Sequence, residues 1–217
     1  MIKLCIFDMD GTVLNTINSI AYFGNGALNK FSLPSIPTDR YKLLVGDGAR
    51  VLVERMIKEV DGTLEDIEKV LPEYSANYDN DFLYLTEAYE GVLDMLAELK
   101  ALGIKTAILT NKPDETAQKV CQVIFGSDLV DLCIGGREGI PLKPAPDGVF
   151  EILNHFKVSK EECLYIGDTA TDIKTAKNAN LTSIGVLWGF RDRNELEGAG
   201  ADYIIEKPEE IVEIAKK

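Results

Sequence analysis

The sequence predicts an α/β fold: a Rossmann-like parallel-sheet core with a small helical module inserted into it. Three observations point there. Apolar, β-branched runs alternate with helix-patterned stretches over most of the chain. The alternation breaks once, between about Asn18 and Tyr89, where no convincing strand is present. Polar residues able to do chemistry recur at or just past the ends of the strand-like runs, where open α/β sheets bind ligands.

Taken in order, Ile2–Phe7 is a short apolar run ending at Asp8 and reads as a buried strand. Further strands are expected at Ile104–Leu109, Val130–Ile134, Cys163–Ile166 and Ser183–Leu187, with a weaker one at Tyr203–Ile205. Helices are expected at Gly91–Leu102, Pro113–Phe125, Asp147–Phe156, Thr171–Ala179 and Pro208–Lys216. Pro113 and Pro208 stand where a first helical turn tolerates proline. Inside the interruption, Gly48–Val60 and Leu64–Asn80 have helical apolar spacing, and Pro34 and Pro37 mark a turn. The expected division is therefore a core of residues 1–15 and 90–217 and a helical insertion of residues 16–89.

The composition narrows the function. The chain has 217 residues, 46% hydrophobic and 27% charged, enough for a core that needs no disulfide or metal to fold. The net charge of -13 argues against nucleic-acid binding, which relies on Lys and Arg to neutralise phosphates. An anionic ligand must then be drawn in by a local feature, against the overall field. Cys5, Cys121, Cys133 and Cys163 form no C-x-x-C pair, so reduced thiols in a cytoplasmic protein are expected. The start MIKLCIFD is too short and wrongly flanked for a signal peptide, and no stretch is apolar for long enough to span a membrane.

Asp8-Met9-Asp10-Gly11-Thr12 follows the first strand. Two carboxylates so close together favour a cation beside them, and Asp is a hard oxygen donor suited to Mg²⁺. One carboxylate can attack phosphorus, and the other can donate and accept the proton. Thr110-Asn111-Lys112-Pro113 places a hydroxyl where a helix is expected to open, a usable phosphate cradle but also an ordinary cap. Lys143-Pro144-Ala145-Pro146 offers a lysine on a stiffened approach. Gly167-Asp168-Thr169-Ala170-Thr171-Asp172 adds two carboxylates four residues apart at a helix start, where capping and metal binding are compatible. His155, the only histidine, lies in mid-helix and argues against histidine phosphotransfer. Trp188 and Phe190 read as packing or loop residues, and Tyr74, Tyr78, Phe82 and Tyr84 as an aromatic seam.

Together, Asp8–Thr12, Thr110, Lys143 and Gly167–Asp172 resemble, in order and spacing, the four motifs of the haloacid-dehalogenase-like hydrolase superfamily. Gly46–Arg50, Gly91–Leu93, Leu109–Pro113 and Lys143–Pro146 are similar to its phosphoglycolate-phosphatase branch. The resemblance implies Asp8 as nucleophile, Asp10 as general acid/base, and Thr110 with Asn111 on the phosphoryl oxygens. It implies Lys143 as the charge-stabilising cation. It further implies Mg²⁺ bound by Asp8, the Asp10 backbone carbonyl and Asp168, with Asp172 supporting the site through water or Lys143. Gly46 and Arg50 would belong to a cap loop that inspects the leaving group. Dehalogenases of this superfamily lack the second acidic residue of the first motif, so Asp10 points away from dehalogenation.

The expected activity is Mg²⁺-dependent hydrolysis of a small phosphomonoester through an aspartyl-phosphate on Asp8. The partner is a small-molecule phosphate ester, without nucleic acid or membrane, and the protein is a monomer or homodimer. A sugar-phosphate mutase or an inorganic pyrophosphatase on the same scaffold is the nearer alternative. A non-enzymatic phosphate-binding or phospho-acceptor protein is the more distant one.

Overall fold

A computed structural model describes residues 1–217, the side chain of Ser127 apart. In chain order, β1 (Leu4–Phe7) and β2 (Leu14–Asn15) precede four helices: α1 (Ile17–Lys30), α2 (Thr38–Leu44), α3 (Ala49–Glu59) and α4 (Leu64–Asn80). β3 (Glu87–Ala88) then leads to α5 (Val92–Ala101), β4 (Lys105–Pro113), α6 (Asp114–Ile124), the short α7 (Gly126–Leu129) and β5 (Leu132–Gly136). The remainder runs α8 (Asp147–Phe156), β6 (Cys163–Gly167), α9 (Ala170–Ala179), β7 (Thr182–Val186), α10 (Arg193–Ala199), β8 (Tyr203–Ile205) and α11 (Glu209–Ala215). Two compact units result: Met1–Asn15 with Ala88–Lys217, and Thr16–Glu87.

The first unit is built on a six-stranded sheet in the order β5-β4-β1-β6-β7-β8. All its pairings are parallel. After β1 the chain builds outward through β4 and β5, then returns to the other side of β1 with β6. That reversal is the topological switch point of a doubly wound sheet, with β1 and β6 on either side of it. Every residue of β1 and β6 is buried, as expected for central strands covered on both faces. On one face, Leu4, Ile6, Leu109 and Tyr165 pack with Val149 and Ile152 of α8 and Ala176 of α9.

The second unit is helical. α1 packs on α2 and α4, and α3 packs on α2 and α4. Its interior includes Leu28, Tyr41, Val53, Met56 and Val70, all fully buried. Tyr74 and Tyr78 of the aromatic seam are buried, and Phe23 meets Tyr78 edge-on with ring centroids 5.6 Å apart. Tyr84 instead lies against Tyr22 at 4.7 Å.

The structure adds elements that the sequence pattern did not reveal. α1 carries two glycines and β-branched residues, a composition of low helix propensity, and forms because one face is buried. A Cβ on Gly24 would lie 2.6 Å from the Tyr41 hydroxyl oxygen, so close helix packing requires glycine there. α2 is short, and α10 starts at Asp192, whose side chain accepts from the Glu195 N–H. β4 does not stop at Leu109 but continues through Pro113, so Thr110, Asn111 and Lys112 are strand residues and α6 opens at Asp114. Among the described residues, no helix is long and apolar enough to cross a membrane.

Candidate active site

The C-terminal ends of β1, β4 and β6 deliver the polar residues. Asp8 directly follows β1, and its N–H donates to Ile166 O of β6 at 2.9 Å. The next turn is tightly closed, because Met9 O accepts from the N–H groups of Val13 and Leu14 at 3.1 and 3.0 Å. Gly11 has φ of +91°, and a Cβ there would fall 2.3 Å from Asp168 Oδ2. Only glycine lets this turn lie against the β6 loop.

Asp8, Asp168 and Asp172 each present a carboxylate oxygen within 4.8 Å of one another, and all three are buried. Lys143 is the cation among them: its Nζ lies 2.8 Å from Asp8 Oδ1 and 2.7 Å from Asp172 Oδ1. Burial opposes the Lys143 charge, but Asp172 and Asp8 outweigh it and hold its pKa well above the ordinary value. Asp8 is pushed well above the usual carboxylate range by burial and by Asp172, against the pull of Lys143. Asp168 is raised to about 7 by burial and Asp172, opposed by its hydrogen bond from the Phe190 N–H. One lysine does not balance three buried carboxylates. Hard oxygen donors in such an anionic cluster fit a divalent cation.

The supporting contacts are specific. Asp168 Oδ1 accepts from Thr12 Oγ1 at 3.1 Å, and Oδ2 accepts from the Phe190 N–H at 2.8 Å. Asp172 Oδ2 accepts from Thr169 N and Oγ1 at 3.1 and 2.7 Å, which closes the capping box of α9. The Asn111 side chain holds the backbone of Lys143, donating to its carbonyl at 3.1 Å and accepting from its N–H at 2.8 Å. Thr110 is buried, and its hydroxyl oxygen accepts from the Lys112 N–H at 3.2 Å. Asp10 pairs with Lys112, Nζ to Oδ2 3.1 Å.

Two features were missed from the sequence. The first is Lys112, which stands in the Leu109–Pro113 motif without a role assigned to it there. The second is the segment Trp188–Phe190 after β7, which sequence reading left as packing. Trp188 Nε1 donates to Thr12 O at 2.9 Å, and a Cβ on Gly189 would lie 2.3 Å from Asp168 Cβ. The loop thus fixes Asp168 and the first turn together. A tryptophan followed by glycine just past a strand end was the available signal.

Gly46 and Arg50 belong to the helical unit. Gly46 and Gly48 have positive φ and flank Asp47, which Arg55 grips at 2.5 Å. Arg50 is exposed, with Nη2 2.6 Å from Glu68 Oε1 and Nε 3.3 Å from Glu54 Oε1. Its guanidinium is engaged by glutamates of its own unit.

A doubly wound α/β core with an inserted helical unit, and a carboxylate–lysine cluster at its switch point, defines a class of hydrolases. Residues 5–186 match the sequence model of the haloacid dehalogenase-like hydrolases, and the chain belongs to that family. It is similar to phosphoglycolate phosphatases from Colwellia psychrerythraea, at 30% identity covering 97% of this chain and 95% of that one, and from Mannheimia succiniciproducens, at 28% covering 98% and 97%. A solved structure from Lactobacillus delbrueckii subsp. bulgaricus, provisionally assigned as a phosphoglycolate phosphatase, superposes with a TM-score of 0.94 at 30% identity, covering 98% of both chains.

Proposed function

We propose that this hydrolase is a phosphatase that cleaves a small phosphomonoester, phosphoglycolate or one of similar size, through an aspartyl-phosphate on Asp8. The observation that carries the reading is Lys143 placed between Asp8 and Asp172 at the switch point. The likeness to phosphoglycolate phosphatases over nearly the whole chain supports the substrate class.

In this reading an Asp8 carboxylate oxygen attacks phosphorus and the bond to the leaving oxygen breaks. Asp10 gives its proton to that oxygen, then takes one from the water that hydrolyses the intermediate. Lys143 compensates negative charge on Asp8 and on the phosphoryl group, and Thr110 offers a hydroxyl donor to it. Asn111 and Asp172 act through Lys143, fixing its backbone and its ammonium. Asp8, Asp168 and the Asp10 backbone carbonyl would hold Mg²⁺, with Asp172 behind Lys143. The ion would neutralise the acidic cluster and the phosphoryl oxygens. Four free, buried cysteines fit a reducing cytoplasm.

The test is a panel of small phosphate esters with Mg²⁺, reading released phosphate, alongside a chelator control. Inorganic phosphate as product supports the phosphatase. A rearranged sugar phosphate without net release identifies a mutase instead. Full turnover in excess chelator removes the metal from the reading.

A further inference from the structure

Lys112 is nearly buried, with 7% of its side chain exposed, and its Nζ lies 3.1 Å from Asp10 Oδ2. A lysine is placed in such surroundings at a desolvation cost that a facing carboxylate offsets. The backbone is shaped to put it there. The pairing of β4 with β5 shifts register between Leu109 and Pro113, so an irregularity falls on Thr110–Lys112. Such bulges re-aim side chains next to active sites. Gly135 on β5 makes room for it, since a Cβ there would lie 2.4 Å from Asp114 Cα and 2.7 Å from Lys112 O. Asp10 in turn keeps one oxygen uncommitted: Oδ1 is buried and has no hydrogen-bond partner among the described residues.

We propose that Lys112 is the positioning residue for the acid/base carboxylate, its ammonium holding Asp10 Oδ2 so that Oδ1 remains available for proton transfer to the leaving oxygen. This rests on the role given to Asp10 above. In the step concerned, the Asp8 oxygen–phosphorus bond forms, the phosphorus–leaving-oxygen bond breaks, and the Asp10 proton moves to the departing oxygen. In the second step, water's oxygen bonds to phosphorus, the Asp8 oxygen–phosphorus bond breaks, and Asp10 takes a proton from that water. Lys112 gains and loses nothing; it sets where the carboxylate points.

The test compares three substrates that differ in need for a proton and in charge. They are 4-nitrophenyl phosphate, whose leaving group departs unprotonated, ethyl phosphate, and phosphoglycolate. kcat/KM is measured because it reports the steps up to phosphoryl transfer. Lys112→Met is expected to lower kcat/KM for both alkyl esters by about 10-fold or more beyond its effect on the aryl ester. Lys112→Arg should recover much of the difference, and Lys112→Met should add little to Asp10→Asn. Equal loss on all three substrates would overturn the inference in favour of a structural role. Loss confined to phosphoglycolate would overturn it in favour of Lys112 binding the substrate carboxylate. If Asp10→Asn shows leaving-group-dependent loss and Lys112→Met does not, only this inference fails. If Asp10→Asn shows none, the acid/base role of Asp10 fails with it.

Discussion

Asp172 holds Lys143 with one carboxylate oxygen and the first turn of α9 with the other. Oδ1 lies 2.7 Å from the Lys143 ammonium, and Oδ2 accepts from Thr169 Oγ1 at 2.7 Å. One side chain therefore ties the start of α9 to the lysine beside Asp8. Asp172→Asn keeps an acceptor for the cap but loses the ion pair, whereas Asp172→Ala loses both. We expect both variants to lose most activity. Alanine should lose a further increment of about 1 kcal/mol, because the two hydrogen bonds to Asp172 Oδ2 are lost while the Thr169 cap itself remains. Denaturant unfolding of the two side by side checks this; equal stability would mean that the cap contact carries no weight.

Lys143 itself places its ammonium 2.8 Å from Asp8 Oδ1. Removing one partner of a buried ion pair typically destabilises by about 3–5 kcal/mol. Lys143→Met should fall near the low end, because Asp8, one of its two partners, already tends to hold a proton and can relax by doing so. Its kcat should drop by about 10²–10³, the scale seen when one preorganised charge-stabilising donor is deleted. Lys143→Arg should not rescue, since a planar fork cannot replace a compact ammonium between two carboxylates. Steady-state kinetics with a thermal melt separates these effects.

Gly189→Ala tests the loop that the sequence reading undervalued. The added methyl would lie 2.3 Å from Asp168 Cβ and 2.4 Å from Gly11 O. Neither contact can yield without moving the acidic cluster or the Asp8 turn. Overpacking of this kind costs about 1–3 kcal/mol. We expect a matching loss of stability together with weakened activation by Mg²⁺. Wild-type Mg²⁺ dependence in this variant would show that the loop does not position Asp168.

The site was legible where chemistry and periodicity coincided. Asp8 and Asp168 follow short apolar runs that read as buried strands, and their position at the sheet edge follows from the alternation. Thr110 was placed correctly in sequence but on the wrong element, because Asn111, Lys112 and Pro113 look like a helix start while β5 draws them into β4. Lys112 was invisible for a similar reason: its role depends on a bulge accommodated by Gly135 on another strand. In the helical unit, α1 escaped detection because its glycines lower propensity, and only Tyr41 explains Gly24. Local patterns carry what one segment dictates; these residues are dictated by a neighbour.

Arg50 illustrates the competing claims on a surface cation. Reaching a ligand requires it to leave Glu68 at 2.6 Å and Glu54 at 3.3 Å. Exposed pairs of this type are screened by solvent and contribute little, so Arg50→Ala should leave the thermal midpoint nearly unchanged. On the ion-pair reading, the ratio of kcat/KM for phosphoglycolate to that for an alkyl phosphate without a carboxylate stays within about twofold. A fall of tenfold in that ratio would restore Arg50 as the residue that inspects the leaving group.

The final prediction concerns protons and metal together. Asp168 has a pKa of about 7 in the folded protein against an ordinary value of 3.8, and Asp8 is shifted in the same direction. The folded state therefore holds the Asp168 proton more tightly than the unfolded state does. Its contribution to stability is fully present below the unfolded value and is lost as pH rises from near 3.8 through about 7. Metal-free protein should accordingly lose this increment between about pH 4 and about pH 7. A divalent cation competes with the same protons, so its affinity and its stabilising effect should grow over that interval. At a hundredfold excess over Kd, binding adds about 2.7 kcal/mol. For a chain of this length that is several degrees in Tm, of order 5–10 °C. The measurement is Tm with chelator and with saturating Mg²⁺ at a series of pH values, for wild type and Asp168→Asn. Wild type should show a Mg²⁺-induced rise that is small at acid pH and large at alkaline pH. Asp168→Asn, which carries no titrating carboxyl there, should show a weaker metal-free pH trend and a smaller Mg²⁺ shift. A Mg²⁺ shift of equal size at every pH, or one unchanged by Asp168→Asn, would place the ion elsewhere than on the buried acidic cluster.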